Sequence, residues 1–302
     1  MTQLQLGVHL PIAGPNASPE SIAAVAEEAE RIGLDSVWSW ERLLRPTEPI
    51  AMGGPGGPVM DAPEEFATVY DPIEVLAFVA ARTARITLGT TVLDALFQNP
   101  VILARRLATL DRLSSGRLVA GIGQGWMQHE FAAAGVPMSR RGAGFEEHLN
   151  AMRAVWGPDP VRFEGRYYQI PEAAIGPKPV HPNGPRLMIG GVAPAAVERA
   201  GRLGTGLTLV IFDWDMVRDT IAAFRAAAGD ADIDPDTLPV MLQVNGSVTE
   251  AARAERGPLT GSPDQVAEDL DRAEALGVQH VYWHPDGDPL EQLPLLARLK
   301  GS

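Results

Sequence analysis

At 302 residues and 45% hydrophobic content, with no unbroken apolar run of about 18 residues, the chain has material for a large core and none for a membrane span. Its formal charge of −13 argues against a nucleic-acid partner, which needs a basic footprint, yet leaves room for a local arginine pocket. The absence of cysteine removes disulfides, thiolate metal sites and cysteine nucleophiles.

Taken in chain order, alternating and helical spacings predict eight strands, at 4–10, 36–40, 86–92, 117–122, 186–190, 206–212, 240–245 and 278–284. Helices fall between them with readable starts and stops. Ser18-Pro19 opens the first, before Ile22, Val25 and Ala29, and Gly33 ends it. Asn99 caps a helix that begins at Pro100, buries Leu103, Leu107 and Leu110, and stops at Gly116. A Ser262 to Gln265 capping box opens another, which ends at Gly277. The run 86–126 is thus one strand–helix–strand unit with a parallel, right-handed crossover. Eight such units in one chain fit an α/β fold of the (β/α)8 TIM-barrel class better than a doubly wound sheet, since no phosphate fingerprint follows the first strand. One domain over 1–302 is therefore expected.

Two connections are long. Segment 42–69, carrying GGPGGP, follows a strand and so lies at the carboxyl mouth, where it is either a lid over substrate or a solvent loop. Segment 157–185, rich in proline, precedes a strand and is expected to wrap the far side as structure.

Strand parity decides which side chains reach the mouth. Leu4, Leu6, Val8 and Leu10 face the helices, so Gln5, Gly7 and His9 face the axis, with His9 nearest the mouth. Glu41 ends the second strand, Gln243 and Asn245 line the seventh, and His284 ends the eighth. A buried, merely hydrogen-bonded His9 is as consistent with this pattern as a working one. Gly121, Gly123 and Gly125 leave backbone and space for a flat ring, beside which Trp126 either stacks on the ring or closes the barrel top. The turn Gly190-Gly191-Val192-Ala193-Pro194 leads into a helix and is either a phosphate site or a tight turn. His129, His148 and His181 lack metal-ligand spacing, so no metal is expected.

The segments SVWSWERLLRP at 36–46, RITLGTTVLDALFQNPVILARRLATLDRLSSGRLVAGIGQGW at 85–126 and RGAGFEEHLNAMRAVW at 141–156 resemble the luciferase-like monooxygenase family. Within it they look closest to the branch dependent on coenzyme F420, a deazaflavin. FEGRYYQI at 163–170 and LMIGGVAPAAVERAGRLG at 187–204 extend the likeness over nearly the whole chain. The resemblance implies a TIM barrel that holds the cofactor ring at its mouth, against a bulge in the third strand with a cis peptide bond aligned to Thr91 and Val92. It carries cofactor contacts to Glu41, Thr91, Val92, Asp94, Gln124, Gly125 and His129, and phosphate contacts to Gly190, Gly191, Val192, Ala193 and Pro194. Catalytic roles fall to His9, Glu41 and Trp126.

The implied activity is an oxidoreductase that moves a hydride between F420 and a small organic substrate. An FMN-dependent monooxygenase using reduced flavin and oxygen is the first alternative, and a cofactor-binding protein without turnover the second. The family's sugar-phosphate dehydrogenases carry histidine and glutamate where this chain has Arg42 and Trp126, and they grip phosphate with lysines, of which this chain has only Lys178 and Lys300. A sugar phosphate is therefore disfavoured and a less charged substrate expected. Family members commonly pair into homodimers, and with no secretory pattern in MTQLQLGVHLP the expected location is cytoplasmic.

Overall fold

A computed structural model describes residues 4–54 and 56–300; Pro55 of the GGPGGP run and the ends of the expected 1–302 domain lie outside them. Eight parallel strands close into a barrel in simple sequential order: β1 (Gln5–His9), β2 (Ser36–Ser39), β3 (Thr87–Asp94), β4 (Leu118–Gly123), β5 (Arg186–Gly190), β6 (Gly206–Val210), β7 (Val240–Asn245) and β8 (His280–His284). All eight predicted strands are present. β3 runs two residues further than alternation indicates, because the β3–β4 register shifts between Thr90 and Leu93 and the chain resumes pairing at Leu93 and Asp94. The Thr91–Val92 peptide bond within that shift is cis.

Among the described residues nine α-helices surround the strands: α1 (Pro19–Arg31), α2 (Pro72–Ala80), α3 (Pro100–Leu113), α4 (Gln128–Ala133), α5 (Ala143–Trp156), α6 (Pro194–Arg202), α7 (Trp214–Gly229), α8 (Pro263–Ala275) and α9 (Pro289–Leu299). Their starts follow local chemistry. Ser18 and Ser262 form reciprocal capping boxes with Ser21 and Gln265, and Asn99 accepts the Val101 amide at 2.9 Å. Among the described residues no helix is long and apolar enough to cross a membrane.

The apolar side chains form two separate layers. Leu6, Val8, Val37, Leu88, Leu118 and Leu207 point outward and join the helices in one large cluster. Trp38, Val119, Met188, Met241 and Tyr282 point inward and fill the barrel. The segment 42–69 crosses the mouth with a small hairpin (Ile50–Ala51 paired with Val59–Met60), a short 3-10 turn over Glu64–Ala67 and the buried Phe66. The segment 157–185 forms a second hairpin, Val161–Glu164 with Gln169–Ala173, laid against the outer helices. There the Glu147 carboxylate of α5 accepts the amides of Arg166, Tyr167 and Tyr168.

The inner layer depends on glycine opposite a large ring. Gly89 of β3 pairs with Trp38 of β2, and a Cβ at Gly89 would lie 2.2 Å from Trp38 Cε3. Trp38 is fully buried, and its indole N–H donates to Ser36 Oγ at 2.7 Å, so the ring cannot swing aside. Gly89→Ala should lower unfolding stability by about 2–3 kcal/mol through overpacking, measured by urea titration; an unchanged midpoint would refute this account of the inner layer.

Candidate active site

The carboxyl ends of the strands open on a cavity of about 550 Å3. His9, Glu41, Thr91, Val92, Asp94, Gln124, Gly125, Trp126, Gly190, Gly191, Val192 and Ala193 all line it. His129 and Pro194 do not. His129 is half-exposed on α4, and its Nε2 lies 2.9 Å from Glu48 of the 42–69 segment. Its neighbour Glu130 is the α4 residue turned inward, since adjacent helical residues point about 100° apart. Met52, Gly53, Pro63, Glu65 and Phe66 bring the 42–69 segment into the cavity wall, whereas 157–185 contributes none of it.

The floor is a hydroxyl network standing on the inner layer. Tyr282 stacks on Trp38 with ring centroids 4.3 Å apart, and its hydroxyl meets Thr91 Oγ1 at 3.0 Å and Thr208 Oγ1 in a short contact. Thr91 also donates to Gln243 Oε1 at 3.1 Å, and Gln243 Nε2 donates to Asn245 Oδ1 at 2.9 Å. Burial pushes the Tyr282 phenol up to about 12, so it remains a neutral hydroxyl.

His9 stands at the rim, its ring stacked on His284 with centroids 4.6 Å apart. Both His9 ring nitrogens are buried and have no hydrogen-bond partner among the described residues. Burial, reinforced by the neighbouring His284, holds the ring well below the ordinary histidine value, so it is neutral at physiological pH. A neutral imidazole has one donor and one acceptor to offer, and both are left for whatever enters the cavity.

Three acids stand together opposite. Glu41 Oε2 accepts the Asp94 amide at 2.7 Å, and Glu130 Oε1 accepts the Leu43 amide at 2.8 Å. Arg42 Nη1 lies 3.5 Å from Asp94 Oδ2 and 3.4 Å from Glu130 Oε2, with its guanidinium between Phe66 and Trp126. Burial first, and then the charge of Asp94, pushes Glu41 up to about 8. Burial also raises Asp94, to about 6, although Arg42 and a backbone N–H from Gly125 pull it down. Glu41 is thus chiefly a carboxylic acid at neutral pH.

Sequence reasoning missed Glu130, Arg141 and Thr208. Thr208 was within reach, since strand parity turns it inward on β6; Glu130 sits on the short helix α4 and Arg141 on the irregular link before α5, and neither gives such a signal.

The model of a family described as luciferase-like monooxygenase matches residues 3–259. An F420-dependent glucose-6-phosphate dehydrogenase of Amycolatopsis mediterranei is 33% identical over 192 residues, 62% of this chain and 52% of that protein. The chain therefore spans about half the length of that relative. One of the same name from Mycobacterium avium is 30% identical over 251 residues, 81% of this chain and 69% of that protein. Among solved structures, a monooxygenase from Streptomyces bottropensis superposes with a TM-score of 0.80 at 24% identity, covering 97% of this chain and 98% of that one.

The raised Glu41 ties stability to pH. Between its ordinary value of 4.5 and about 8 the folded chain keeps a proton that the unfolded chain has released, so rising pH costs stability across that window. Asp94 contributes in the same direction only up to about 6. From pH 6 to 8 the stability of Glu41→Gln minus that of the wild type should climb, by at most about 1.4 kcal/mol per pH unit. Denaturant titrations at pH 6, 7 and 8 measure it, and parallel curves would mean that Glu41 is ionised in the fold.

Proposed function

Since the chain belongs to the luciferase-like monooxygenase family, we propose that it is an oxidoreductase using coenzyme F420 and a small organic substrate of low charge. The observation carrying this reading is the pairing, across one cavity, of an unpartnered neutral His9 with a Glu41 that keeps its proton. The choice of F420 is supported by the relatives whose names carry that cofactor.

The residues present fit such a group. Buried nitrogens of His9, Arg42 and Arg141 lack protein partners, and each of these side chains lines the cavity. Glu41, Thr91, Val92, Asp94, Gln124 and Gly125 would hold the ring end, and the Gly190–Ala193 turn would hold the phosphate through its amides. Coenzyme F420, when bound, supplies two-electron hydride transfer. The chain supplies the proton. With Oε2 occupied by the Asp94 amide, Glu41 holds that proton at Oε1, giving it up when substrate is reduced and taking it when substrate is oxidised. His9 orients the substrate, donating through one ring nitrogen and accepting through the other. Met52, Pro63, Phe66 and Trp126 exclude water above them and favour an apolar substrate body.

Titration of the purified protein with F420 and with FMN tests the cofactor. Micromolar or tighter affinity for F420 with none for FMN is expected; the reverse would replace this reading with the flavin monooxygenase.

Glu41→Gln and His9→Ala should each slow turnover by about 10²–10⁴-fold while F420 affinity is retained. With Glu41 as the acid, substrate reduction should fall as pH rises through about 8, and Glu41→Gln should lose that limb. Rate–pH profiles check both, and unchanged turnover removes the residue from the mechanism.

A further inference from the structure

Among the described residues two arginines near the start of α5 hold buried N–H groups without a hydrogen-bond partner, although Arg199 also lies over the Phe145 ring, 6.0 Å from its centroid. Arg141, just before α5, lines the cavity, and its buried Nε has no partner. Arg199, on α6, has buried Nε and Nη1 atoms without partners. Among the described residues neither guanidinium makes a hydrogen bond or an ion pair. The acid nearest to hand, Glu146, is taken by Arg202 in a two-pronged pair at 2.9 and 2.6 Å. Glu146, and to a lesser degree Glu198 on the same helix as Arg199, act on Arg199 through their charge without bonding to it. The two cations are neighbours: Arg199 lies against Gly142, the residue after Arg141, where a Cβ would come 3.8 Å from Arg199 Nη2. The charge of Arg141 acts on Arg199. Like charges held side by side with buried, unsatisfied N–H groups are costly unless an anion joins them.

Resting on the F420 reading above, we propose that Arg141 and Arg199 form a second anion subsite, beyond the phosphate turn, for the γ-linked glutamate carboxylates of the cofactor tail. Arg199 follows the turn by five residues from Pro194, about 7.5 Å along the axis of α6 at 1.5 Å per residue. The Arg199 guanidinium lies against Gly142 at the start of α5, whereas the neighbours of Gly190 and Gly191 are Val92, Thr208 and Ala196, so an anion shared with Arg141 sits on the α5 side and not over the amides at 190–193, and a ligand reaching both carries two acidic groups in series. F420 does so, with a phosphodiester followed by glutamates; FMN has only its phosphate. Ala193 at the start of α6 offers no side-chain cap, which leaves the turn's amides to the first group and the fork-shaped guanidinium donors to the second.

Binding titrations by fluorescence test the subsite with three ligands: F420 carrying two glutamates, its phospholactyl form without glutamate, and the deazaflavin riboside without phosphate. The wild type should prefer the diglutamyl form over the glutamate-free form by about tenfold or more, and the preference should shrink with added salt. Arg141→Gln and Arg199→Gln should each reduce it to about twofold, while riboside affinity stays at the wild-type value and reports an intact fold. If F420 binds and the variants keep the full preference, the subsite is refuted and the cofactor reading stands. If the preference in the wild type is absent, the subsite is refuted too. If no deazaflavin binds the wild type at all, the cofactor reading fails and the subsite with it.

Discussion

Trp38 lies flat against Tyr282 across the inside of the barrel, and the height of the active-site floor follows from that stack. It is possible because β1 and β3 place Gly7 and Gly89 around the indole, where any Cβ would collide with Trp38 or with Ser36, to which it is tied. The ring in turn sets the position of the Tyr282 phenol. Burial keeps that phenol neutral, so it presents a hydroxyl upward to Thr91 and Thr208. Small residues on one pair of strands thereby decide where polar groups begin on another, and the cavity starts where the hydrocarbon of the inner layer ends.

Above that floor the rim is charged unevenly. Glu41, Asp94 and Glu130 gather on the side of β2, β3 and α4, whereas Arg141 stands just before α5 and Arg199 in the last turn of α6. Water is scarce on the acidic side, so the charged form of each carboxyl is disfavoured and each is raised above its ordinary value. On the basic side the same scarcity cannot neutralise an arginine, which stays charged and must find an anion. The two sides therefore suit different parts of one long ligand: a weakly polar reacting end near the acids and an acidic end near the arginines.

Much of this was legible in the chain. Period-two alternation placed all eight strands, and parity turned His9, Gln243 and Asn245 toward the axis, because a strand has only two faces. Ser18, Asn99 and Ser262 announced helix starts because their side chains satisfy orphan amides locally. What escaped lies where no period operates. On the single turn and a half of α4, His129 and Glu130 are equally plausible inward residues, and it is tertiary contact, Phe131 against Phe97 and Glu130 with Arg42 and the Leu43 amide, that goes with the glutamate turned in. The pairing of Arg141 with Arg199 depends on how α5 and α6 approach, over 58 residues of chain that carry no mutual signal. The length of β3 was missed because alternation breaks at a register shift, where one strand spends extra residues against its partner.

The location of the proton in the acidic cluster follows from the unequal support of its members. Asp94 has Arg42 at 3.5 Å and an amide from Gly125, while Glu130 has the same guanidinium at 3.4 Å and the Leu43 amide. Glu41 has only the Asp94 amide and faces the repulsion of Asp94 itself. Held between Phe66 and Trp126, Arg42 cannot turn its charge toward Glu41 without leaving both rings. Its position therefore keeps two carboxyls nearer ionisation and leaves the third protonated. An arginine cannot itself exchange a proton at neutral pH, so its effect here is to set which neighbouring carboxyl keeps one.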